Sequence, residues 1–183
     1  MSTFKFKSKQ QILELIREAE DYSETINLIN ELEKLKQERQ PFYLIKEEFD
    51  KILDWKLRQQ IGRQKRYREQ NTDEIIRQIT RTAFEISHSN WHYETELKLK
   101  LLTALKGVGI PVASSILALC YPEKYAVIDF RTRRQLFGKA KNPLLITDYV
   151  KYLDIIRRLA ADYNLNPQQV DQAIWQYDIR VNG

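Results

Sequence analysis

A single cysteine, five glycines and five prolines in 183 residues leave little to staple or punctuate the chain. Cys120 has no intrachain partner, so no disulfide frames the fold, and a four-thiolate iron–sulfur cluster cannot be assembled. Sparse glycine and proline favour long elements, and therefore helices. Long apolar runs are also missing: the longest, around residues 110–120, is interrupted by Ser114 and Ser115 and is too short to span a bilayer. The first ten residues hold lysines with no apolar block behind them, so the expectation is a cytoplasmic protein with no signal peptide and no membrane partner. His88 and His92 have i, i+4 spacing but no nearby third ligand, so neither a metal nor another cofactor is expected.

What is present fits a soluble domain. Hydrophobic residues make up 43% and charged residues 30%, a globular balance, and the length suits one main core. The formal charge of +5 points to an anionic partner, and its distribution says where. Residues 56–68 place Lys56, Arg58, Arg63, Lys65, Arg66 and Arg68 together without an acid, whereas the first forty residues mix Glu14, Glu18, Glu20, Asp21 and Glu24 among their bases. Such a basic run is a solvated face in many proteins and a nucleic-acid contact in others. The division expected is an N-terminal helical extension over 1–40, with a surface for a protein partner, and a main domain over 41–183.

Apolar periodicity predicts an all-α helical bundle. Ile12, Leu15, Ile16 and Ala19 mark one helix; Ile26, Ile29, Leu32 and Leu35 mark a second behind a Ser23 cap, which Pro41 ends. Phe49, Ile52, Leu53 and Leu57 begin a third that runs into the basic stretch, with Gly62 as its weak point. Thr72 caps a fourth, with Ile75, Ile79, Ala83 and Ile86 on one face. Leu97 to Leu105 forms another after a polar interval at 87–93. Pro111 suits the first turn of the next, and three more are expected from Asp129 or Phe130 to Phe137, over 147–163 and from Asn166-Pro167 to Tyr177.

The informative pattern is a helix, then Lys106-Gly107-Val108-Gly109, then a helix opening at Ile110-Pro111. Two glycines let the backbone turn tightly and approach another molecule, and the new helix offers free N–H groups to a phosphate oxygen, with Lys106 as an adjacent cation. No strand precedes this G-x-G and the third glycine of a dinucleotide fingerprint is absent, so a nucleotide cofactor is not implied.

After the second helix come Ala126-Val127-Ile128-Asp129 and a basic helix start whose Arg131, Arg133 and Arg134 are candidates for a phosphate-contacting edge, although neighbouring helix positions do not all share one face. Residues 97–138 together resemble the hairpin and catalytic-aspartate segment of the helix-hairpin-helix (HhH-GPD) DNA glycosylase superfamily. The resemblance implies a helix-hairpin-helix bundle that holds double-stranded DNA by its backbone through Lys106, Gly107, Val108, Gly109 and Ile110. It puts Asp129 at the position where that family stabilises positive charge on the sugar or helps water attack during base excision. The lyase-lysine position falls on Pro111, which has no amine, so a monofunctional hydrolase without β-lyase activity is implied. Phe130-Arg131 departs from the small residue and histidine found after the aspartate in many members. Asp129 also has an ordinary reading as the cap of the helix it precedes. Trp55, Trp91, Trp175 and Tyr125 are candidates for stacking on an extruded base, or for core packing. A non-catalytic nucleic-acid-binding module and a protein-interaction scaffold are the alternatives on the same fold.

Overall fold

A computed structural model describes residues 4–58, 61–138 and 143–183; the side chains of Ile61, Arg63 and Gln64 lie outside that description. The described residues form helices and no strand: α1 (Lys9–Glu18), α2 (Tyr22–Glu38), α3 (Lys46–Leu57), α4 (Ile61–Arg68), α5 (Asp73–Glu85), α6 (Trp91–Leu102), α7 (Ile110–Cys120), α8 (Phe130–Phe137), α9 (Ile146–Tyr163) and α10 (Pro167–Asn182). None is long and apolar enough to cross a membrane among the described residues.

Short polar side chains start many of these helices by accepting an otherwise orphaned N–H. Ser8 accepts from Gln11, Thr72 from Ile75, Asn90 from His92 and Tyr93, and Asn166 from Gln169. The Thr72 cap and the Pro111 first turn stand as the sequence suggests. Elsewhere the details differ. Asp21, not Ser23, precedes α2, because the helix starts two residues earlier and Ser23 falls in its first turn. The break after α3 comes at Arg58, whose φ of 43° leaves the helical region, while Gly62 sits inside α4. In α5 the buried face is Ile76, Thr80 and Ala83, which leaves Ile75 46% exposed. Asn90 starts α6 within the polar interval, and α10 continues past Tyr177 to Asn182.

The centre of the molecule is α7, buried from Val112 to Cys120, with α2, α3 and α6 packed on it. A helix covered on every side cannot present a polar stripe, and α7 carries only apolar residues and two serines beyond its first turn. Each serine hydroxyl donates back to Pro111 O, at 2.8 and 2.9 Å, which removes an unmet polar group from the core. At roughly 2 kcal/mol per buried large aliphatic side chain, Ile116, Leu117 and Leu119 make this helix a principal source of stability. Residues before 40 share the same core: Phe6, Ile12, Leu15 and Ile16 from the start of the chain, and Leu28 and Leu32 from α2, belong to one hydrophobic cluster with α7, and α1 packs on α10.

The extended segment 125–128 is held from several sides. Ser114 Oγ accepts from Ile128 N at 3.1 Å, and Asp171 Oδ2 accepts from Val127 N at 3.1 Å. Tyr149 and Tyr152 hydroxyls donate to the carbonyls of Ala126 and Val127, each at 2.9 Å. All four side chains are buried, so the segment delivers Asp129 to one fixed place.

Candidate functional site

The turn between α6 and α7 is built on Gly107, whose φ of 78° is accessible to glycine without the Cβ clash any other residue would carry. Val108 is buried beneath it and donates to Leu105 O at 3.1 Å, while Lys106 and Gly109 remain exposed. A side chain from outside the turn braces it: Asn71 accepts from Lys106 N and donates to Lys106 O, both at 2.9 Å. Gly109 precedes α7 with extended φ and ψ, and a Cβ there would meet nothing nearer than Pro111 Cδ at 3.8 Å. The protein itself therefore has room for a side chain at Gly109. Its absence clears space in front of the first N–H groups of α7, which have no intrahelical acceptor.

The basic stretch divides into distinct environments. Arg68 is paired with Asp50 at 3.3 Å and Asp54 at 2.8 Å, and Arg58 with Asp21 at 3.0 Å and Glu24 at 3.5 Å. Lys65 and Arg66 are exposed on α4, the latter stacked on Tyr67. The backbone N of Asn71 bonds Arg68 O at 3.0 Å, so the residue that braces the turn also joins it to the end of α4. Lys56 and Arg58 both lie on the wall of a cavity.

That cavity, of about 480 Å³, opens between the end of α3, the start of α8, α10 and the α1–α2 junction. Asp129 lines it, with Trp55 and Trp175 as aromatic walls and Phe130, 60% exposed, beside it. Trp55 is locked by donating its indole N–H to Thr25 Oγ1 at 3.0 Å. Asp129 is the N-cap of α8: Oδ1 accepts from Arg131 N at 2.9 Å and Thr132 N at 3.0 Å, with Thr132 Oγ1 at 3.3 Å. Among the described residues, its capping bonds all fall on Oδ1, which leaves Oδ2 for another group.

No family model matches the chain, and neither a curated protein nor a solved structure matches it.

Glu20, Asp21 and Asp171 also line this cavity. Asp171 on α10 is buried, and burial, reinforced by the nearby Asp129 charge, pushes its carboxyl up to about 8 against the opposing bonds from Tyr152 and Val127. One acid is thus held neutral beside a partly solvated one, the arrangement by which a site separates two carboxyl roles. Asp171 Oδ1 is bonded to Tyr152 Oη, whose hydroxyl also reaches Val127 O. A protonated Asp171 completes this chain by donating to Tyr152 while Oδ2 takes the Val127 N–H.

The three arginines after Asp129 separate. Asp178, fully buried on α10, takes Arg131, Arg134 and Gln135 together. Burial alone would raise its carboxyl, but the bonds from Arg134, Gln135 and Arg131 outweigh it and hold the group below the usual carboxylate range. Arg133 is buried, so it does not share an exposed edge with the other two. Trp91 and Tyr125 lie away from Asp129, in a second depression beside Arg157.

Of the α10 wall, sequence reasoning singled out Trp175 and missed the other three residues. Gln168, Asp171, Gln172 and Trp175 fall at i, i+3, i+4 and i+7, one face of a helix, and all four line the cavity. A polar stripe at helical spacing was the available signal. Among the described residues no group of three potential metal ligands comes together.

Proposed function

We propose that this chain is a DNA-binding protein with monofunctional N-glycosylase chemistry on a helix-hairpin-helix scaffold. The observation that carries the reading is Asp129 on the wall of a cavity flanked by Trp55 and Trp175, large enough for one extruded nucleobase. Duplex would sit on the glycine turn, one phosphate oxygen taking the N–H groups at the start of α7, with Lys106, Lys65 and Arg66 supplying positive charge. In the cavity the C1′–N bond breaks, its electron pair leaves with the base, and positive charge develops on the sugar. Asp129 faces that charge and then accepts a proton from the attacking water as its oxygen bonds C1′, while the departing base takes up a proton from solvent, giving free base and an abasic site. Pro111 carries no amine, so the product strand stays uncut.

A specific observation also favours the non-catalytic reading: the capping role of Asp129 is complete in itself, with Thr132 Oγ1 contacting the Asp129 N at 3.2 Å in return. Both readings require salt-dependent duplex binding, with log affinity falling linearly in log salt at a slope of about −0.9 per phosphate contacted. Anisotropy titration of a fluorescent duplex measures it. Lys106→Ala should weaken binding and flatten the slope; a wild-type affinity indifferent to salt removes the nucleic-acid reading, and release of free base from a lesion-bearing duplex separates the enzyme from the binding module.

A further inference from the structure

On α8 the exposed side chains form one stripe. Phe130, Arg134 and Phe137 fall at i, i+4 and i+7, while Thr132, Arg133 and Leu136 on the remaining side are buried. Phe130 is 60% exposed, Phe137 46% and the Arg134 side chain 41%. Covering an aromatic ring removes a large apolar area from water, so two rings left open on one helix face mark a surface with something to bind. The stripe is held in place from below: Arg131 and Arg134 both engage the buried Asp178, and their guanidinium carbons lie 5.1 and 5.9 Å from the Phe130 ring centroid. One carboxylate between two guanidiniums leaves a positive charge over, and the sequence from Phe130 to Phe137 contains no acid. Phe130 and Arg131 also line the Asp129 cavity, so the stripe begins at that cavity.

We propose that this face of α8 binds single-stranded nucleic acid, with one base stacked on Phe130, another on Phe137 and the backbone charge between them met by Arg134. Seven residues of helix set the two rings about 10 Å apart along the axis, too far for one base to cover both. Aromatic rings take any base by its π-face and an arginine takes the phosphate, the combination by which single strands are held without reading their sequence. A duplex keeps its bases stacked on one another and offers none to the rings, so this surface differs in kind from the glycine turn, which needs only a backbone phosphate. An anionic membrane would also meet apolar and cationic groups here, but the continuity of the stripe with a cavity walled by Trp55 and Trp175 favours a strand of bases. Binding at this face requires no turnover at Asp129.

The test is fluorescence anisotropy of the intact chain with a labelled oligothymidylate of about twelve nucleotides, against a base-free oligomer carrying the same number of phosphates. Phe137, which lies outside the cavity wall, is changed to alanine, leucine and tyrosine, and thermal unfolding shows each variant folded. Wild type should bind the oligothymidylate at least about fivefold more tightly than the base-free oligomer at equal salt, the factor for stacking one base. Phe137→Ala and Phe137→Leu should each weaken oligothymidylate binding by about that factor and leave the base-free oligomer unchanged, whereas Phe137→Tyr should keep wild-type affinity. Equal affinity for the two oligomers, binding of neither, or full affinity in Phe137→Leu overturns the stacking surface. Cosedimentation with phosphatidylserine vesicles that Phe137→Ala abolishes, with no preference between the oligomers, overturns it in favour of a membrane. Duplex affinity measured in parallel separates the two functional claims. Salt-dependent duplex binding without an oligothymidylate preference overturns the α8 surface and leaves the glycine turn; a preference that depends on Phe137, without salt-dependent duplex binding, supports the α8 surface and overturns the duplex reading.

Discussion

At Asp129 the cap depends on the shape of the side chain and the proposed chemistry on its charge, so substitution can separate them. Asparagine and aspartate are near-equal N-caps, whereas alanine offers no acceptor. Asp129→Asn should unfold in urea within about 0.5 kcal/mol of wild type, and Asp129→Ala should lose about 1 kcal/mol, since Arg131 N and Thr132 N would then lack their acceptor. An asparagine variant as unstable as the alanine one would show that the charge itself holds α8. The capping role of this residue was legible in the sequence, because a carboxylate before a helix start is a local signal; the proposed catalytic role was offered only by the family resemblance. The neutral state of Asp171 was not legible: it depends on burial under α9 side chains and on the Asp129 charge some forty positions away in the chain.

Among elements, the α6–α7 turn and α10 contrast in what their sequences reveal. The turn is written locally, in two glycines and a following proline, and the structure has the positive φ at Gly107 and Pro111 in the first turn of α7. Its brace is not local, since Asn71 lies 35 residues before Lys106. Replacing Asn71 with alanine removes both bonds to Lys106 and should cost about 1–3 kcal/mol. Hydrogen exchange should show the Lys106 amide losing protection while the amides in the middle of α7 keep theirs. Loss of protection throughout α7 would mean that the turn and the central helix open as one unit. For α10 the stripe of Gln168, Asp171, Gln172 and Trp175 is visible in the sequence, but its meaning depends on Trp55 and Asp21, brought opposite it by α3 and the α1–α2 junction. Single-sequence periodicity orders residues on one helix and does not say which helices face each other. The same limit explains the arginines: Asp178, which engages Arg131 and Arg134, comes from another helix entirely.

For the whole molecule, the buried acid makes stability depend on pH. The Asp171 carboxyl titrates near 8 in the fold, against an ordinary 3.8, so across that window the native chain keeps a proton that the unfolded chain has lost. Its contribution is most favourable below the ordinary value, falls as pH rises toward about 8, and is level beyond. Asp171→Asn retains an acceptor for Val127 N and a donor for Tyr152, and should flatten this part of the pH–stability curve measured by urea unfolding. An unchanged slope would show that Asp171 is ionised in the native state. The all-α class and the order of the helices were legible along the chain; the integration of residues before 40 into one hydrophobic cluster was not, because the mixed charges of α1 and α2 describe their exposed faces, whereas Ile12, Leu15 and Leu32 face the core.

The most direct test of the functional reading is single-turnover release of free base from duplexes bearing damaged or mismatched bases, with products resolved from intact strand before and after alkali. Wild type should release base and leave an abasic site that breaks only on alkali treatment. Asp129→Asn should bind the same duplex with unchanged salt dependence and release base at least about a hundredfold more slowly, as expected for removal of a group that stabilises developing charge. Equal rates for the two proteins, or no release from any duplex that wild type binds, would contradict it.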